Sequence, residues 1–149
     1  MRIRRAAVAA GVLIPALALG GCATTENGPT GEFARASHDT ASAMQAALLV
    51  FEQHQDGSTT DAATGTTLGD MLTAVTQAES ETAEVDVSTP DEAHLQGDVL
   101  DTVRASVDAV TSAQHSLSDA GTSEQDARSA LEAAATRAKQ LSESLEQYR

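Results

Sequence analysis

The chain has 149 residues and is strongly acidic, with 22 Asp and Glu against 9 Lys and Arg and a formal net charge of −13. A surface this negative repels phosphate backbones and anionic headgroups, which argues against nucleic-acid binding. Trp is absent, aromatic residues make up 2% of the chain, and the one cysteine is Cys22, so neither a sugar-stacking platform nor a disulfide framework is expected.

The first 21 residues have the parts of a secretory signal. Arg2, Arg4 and Arg5 give a positive start, and residues 6–19 form an apolar run interrupted by Gly11 and Pro15. That run falls short of the roughly 20 apolar residues a membrane span needs. No second run of that kind follows, so no transmembrane helix is expected. The paired Arg4 and Arg5 leave the export route open between the general and twin-arginine pathways.

The segment ends on Leu19-Gly20-Gly21-Cys22. This tetrapeptide resembles the lipobox of bacterial lipoproteins, a resemblance that covers residues 1–22 only. It implies that Leu19, Gly20 and Gly21 admit the lipoprotein signal peptidase, and that Cys22 Sγ then carries a diacylglyceryl thioether. One acyl chain holds a protein only marginally, whereas two on one residue give a long-lived anchor. The expectation is a protein tied to the extracytoplasmic face of a cell membrane through lipid on Cys22. Cleavage would remove Arg2, Arg4 and Arg5 and none of the acids, leaving an even more acidic domain.

Residues 22–31 read as the lipidated cysteine and a flexible polar tether, and residues 32–149 as one acidic helical domain. Helix one is predicted over residues 32–55, with Phe33, Thr40, Met44, Ala47, Leu48 and Phe51 on one stripe and Gly57 as its stop. Residues 56–66, rich in Gly, Ser and Thr, read as a mobile link. Helix two follows over 67–84, burying Leu68, Met71, Leu72, Val75, Ala78 and then Val85. Thr89, Pro90 and Glu92 make a capping box that opens helix three, which runs to Asp119 and Ala120 and stops at Gly121. Its stripe is Val99, Val103, Val107, Val110 and Leu117, with Gly97 placed to bend it or to divide off a short leading turn.

Helix four opens at Thr122 or Ser123. Ala127, Leu131, Ala134, Ala138, Leu141, Leu145 and Tyr148 then alternate four- and three-residue steps, the spacing of a coiled-coil seam. Short links make sequential helices antiparallel, so the predicted fold is all-α, an up-down-up-down four-helix bundle. The alternative is a three-helix bundle with a loose second segment.

Candidate chemistry is thin. His38 lies opposite the helix-one stripe, His94 and His115 lie opposite the valine stripe, and only His54 nears an apolar face, at a helix end. The Asp91-x-x-His94 spacing is that of a bundle metal site, but it faces outward and has no second copy. No metal or cofactor is therefore expected. Asp98, Asp101, Asp108, Glu132, Glu143 and Glu146 project to polar faces, and Glu79 alone nears a buried edge. Neither Gly-x-Ser-x-Gly nor Ser-x-x-Lys occurs, so the chain reads as non-enzymatic.

Leu49 points away from the helix-one stripe, where a simple bundle leaves it exposed as a possible partner contact. The reading is an accessory or scaffold module that touches another envelope protein. The alternative is a carrier holding a small apolar molecule or lipid between helices, with Met44 and Met71 helping to line the space.

Overall fold

Helix termini set the limits of the fold, and their chemistry is local. The computed structural model describes residues 28–118 and 123–149. Leu19, Gly20, Gly21, Cys22 and most of the expected tether lie outside the described residues, as do Gly121 and Thr122 at the expected turn between helices three and four.

The first helix, α1, spans Gly28–Gln55 and so starts within the stretch expected to be tether. Gly28 takes φ +58°, where an L side chain would be strained, and Pro29 follows with a ring that fixes φ near the helical value. Gly57 stops α1 as expected, at φ +72°. The Ser58 N–H donates to the Gln53 carbonyl (2.8 Å) and the Gly57 N–H to that of His54 (2.9 Å), the paired bonds of a Schellman end.

The second helix, α2, spans Asp61–Glu84 and corrects the expected link over residues 56–66. Thr60 caps it, its Oγ1 accepting from the Ala63 N–H at 3.3 Å, and Asp61 places a negative charge in the first turn. Gly65 is helical despite a propensity cost of about 1 kcal/mol. Burial of Thr64 and Leu68 on either side outweighs it.

The third helix, α3, spans Pro90–Ser118 and begins with the expected capping box. Thr89 Oγ1 accepts from the Glu92 N–H (3.2 Å), and Glu92 Oε2 accepts from the N–H groups of Ser88 and Thr89 (both 2.9 Å). The helix runs through Gly97 unbroken, so no leading turn is divided off there. The fourth helix, α4, spans Glu124–Leu145 and is capped by Ser123, whose Oγ accepts from the Asp126 N–H (3.3 Å). A turn of 3-10 helix, Glu146–Tyr148, follows. It tightens the backbone and takes Tyr148 out of the seam the heptad spacing had assigned it, leaving the ring 41% exposed.

These four helices form the all-α four-helix bundle. Each packs on its chain neighbours, α4 returns to α1, and α1 meets α3 across the diagonal, which is closer than the other diagonal between α2 and α4. Many of the buried side chains on α1 and α3 are small, among them Ala34, Ser37 and Thr40 of α1 and Thr102, Ser106 and Ala113 of α3, and small side chains let helix axes approach closely. Phe33, Met44 and Phe51 fill the core along α1, against Leu68 and Val75 of α2, Val99, Val103 and Val110 of α3, and Leu131 of α4. Full burial of Leu68 and Val75 makes α2 an integral wall, which rules out the looser three-helix arrangement.

Candidate functional site

Leu49 emerges from the register of α1. Its helix turns Phe33, Met44, Ala47 and Phe51 inward, so the opposite crest carries Arg35, Asp39, Ser42, Gln45, Leu49 and Gln53 in water. All but Leu49 are polar, and its side chain is 56% exposed. Val87, half-buried, packs against the core instead.

Charge is divided unevenly around the bundle. Over residues 61–118, which hold α2 and α3, Arg104 is the single Lys or Arg, and its Nε is spent on Glu79 Oε1 at 2.9 Å. Glu79, the acid nearest a buried edge, is thus an ion-pair partner. Arg35, Arg128, Arg137, Lys139 and Arg149 all belong to α1, α4 and the C-terminal turn. The side built from α1 and α4 is therefore the less acidic one, and it carries Leu49 and Tyr148, the two exposed large hydrophobic residues among the described residues.

Arg128 ties this side together. Its Nη2 reaches Glu52 (3.0 Å), its Nη1 reaches Gln55 (3.5 Å) and its Nε reaches Glu132 (2.9 Å). The Glu132 hydrogen bond foremost, with the nearby Glu52 charge, raises the guanidinium pKa further above its ordinary value. At the other end Arg149 Nη1 lies 3.1 Å from His38 Nδ1. From this Arg149–His38 end a surface groove of about 280 Å3 runs along the α1–α4 seam, lined also by Ser42, Gln45, Lys139 and Ser142.

The remaining candidates stay apart. His94 and His115 are exposed, and His94 Nε2 faces Asp98 at 3.8 Å on its own helix. His54 is largely enclosed, with its Nδ1 buried and 3.7 Å from Asp61 Oδ1, beyond hydrogen-bond reach. Among the described residues no three His, Cys, Asp or Glu side chains converge as metal ligands. Met44 is fully buried in the core and Met71 is half-buried. Among the described residues no helix is long and apolar enough to cross a membrane.

Two organising residues carried no signal in the sequence. Gln96 donates its amide to the Thr82 and Val85 carbonyls (2.9 and 3.0 Å), so α3 closes the C-terminal end of α2. Arg128 acts over far longer separations, 73 residues to Gln55 and 76 to Glu52. Apart from the i,i+4 pair of Arg128 with Glu132, these partners follow no helical spacing, so only the packed bundle reveals them. No protein family, curated protein or solved structure matches this chain.

Proposed function

We propose that this chain is a lipid-anchored extracytoplasmic accessory protein whose bundle acts by contact with another envelope protein and not by catalysis. The observation that carries the reading is the side chain of Leu49, 56% exposed on an otherwise polar crest. Single exposed leucines are common. This one lies on the side that carries least negative charge, where a protein partner meets the least repulsion.

The anchor rests on the sequence around Cys22. From Cys22 to Gly28 a stretched chain covers about 20 Å. A lipid on Cys22 would hold the end of the bundle formed by the start of α1 and the end of α4 close to the membrane.

The test is in-cell crosslinking with mass spectrometry on the native chain, Cys22→Ala and Leu49→Glu. A recurrent partner captured by the native chain and lost in both variants is the expected result. Capture unchanged by Leu49→Glu would remove the contact from this face. Membrane residence unchanged by Cys22→Ala would overturn the anchor. Because Leu49 is exposed, Leu49→Glu should alter stability by no more than about 0.5 kcal/mol in denaturant titration, separating lost contact from lost fold.

A further inference from the structure

We draw no further inference here: the strongest candidate, the groove between α3 and α4 floored by Ala105, Ala109, Ala130, Ala133 and Ala134 with Arg137 on its rim, is a furrow of small side chains and nothing in the structure shows what covers it.

Discussion

Hydroxyl groups fill much of the space that larger apolar side chains occupy in other bundles. Thr40, Thr82, Thr102 and Ser106 each donate to the carbonyl one turn earlier, at 2.7–2.9 Å, and Ser116 donates to Ala113 at 2.8 Å. Thr64 shares a bond of 2.9 Å with Thr59. Ser37 is the exception: it is 1% exposed and its Oγ has no partner. A buried hydroxyl without a bond costs about 1–3 kcal/mol in lost hydration, and Ala is also the better helix former. Ser37→Ala should therefore raise stability by about 1 kcal/mol in urea titration. Thr40→Ala, which deletes a bonded hydroxyl and a packed methyl, should lower it. A Ser37→Ala variant as destabilised as Thr40→Ala would mean that the hydroxyl is satisfied in solution.

The glycines divide by backbone conformation. None of Gly57, Gly65 and Gly97 has a neighbour within 4 Å of where a Cβ would stand, so substitution tests the backbone alone. Gly57 needs its left-handed φ of +72°, and Gly57→Ala should cost about 1–2 kcal/mol. Gly65 and Gly97 sit inside helices, so Ala at either should add up to about 1 kcal/mol. Thermal melts of the three single variants decide it. Equal shifts at all three positions would contradict the conformational account.

At the scale of the elements, the capping box of α3 makes stability depend on pH in a defined direction. The Ser88 backbone hydrogen bond foremost, with the Thr89 bonds, holds the Glu92 carboxyl below the ordinary glutamate value. A carboxyl depressed by folding stabilises the native state above its unfolded value. That contribution is lost as pH falls through the lower, folded value. The native chain should exceed Glu92→Gln in stability at neutral pH, and the gap should close as the solution is acidified below the ordinary glutamate range and through the lower folded value. A gap that stays constant would show that the charge plays no part. Thr89→Ala removes the other half of the box and should cost about 1 kcal/mol.

The same capping chemistry explains what was legible in the sequence. Thr89, Pro90 and Glu92 act within one turn, so the start of α3 could be read directly, as could the Gly57 stop. The start of α2 is masked in the sequence because Gly65 resembles a breaker. The cap at Thr60 depends on a shorter signal, Thr followed by Asp, and on the burial of Thr64 that only tertiary packing supplies. The exposure of Leu49 followed from helical period alone. Tyr148 did not, since its seam position assumed that α4 continues beyond Leu145. The division of charge between the α2–α3 and α1–α4 sides was implicit in the residue order, but it acquires meaning only once the pairing of helices is known.

For the whole molecule, two electrostatic effects compete. Arg104–Glu79, Arg128–Glu52 and Arg128–Glu132 are ion pairs at 2.9–3.0 Å, all partly exposed. Pairs of that kind contribute about 0–1 kcal/mol each, and salt weakens them. Against them stands a net charge of −13, concentrated where α2 and α3 hold a single Lys or Arg. Repulsion among those acids disfavours the compact state and is also screened, since the Debye length shrinks from about 30 Å at 0.01 M to about 10 Å at 0.1 M salt. The acids far outnumber the pairs, so repulsion should win and the melting temperature should rise with NaCl. A melting temperature that falls with salt would give the ion pairs the larger share, and Arg128→Ala should then abolish much of the fall. The expected rise has a consequence for the proposed contact. A bundle that repels other acidic surfaces over most of its circumference approaches a partner most readily through α1 and α4, where Leu49 stands. Partner capture that strengthens with moderate salt and still requires Leu49 would join the two arguments, whereas capture that salt weakens would point to an electrostatic contact elsewhere on the bundle.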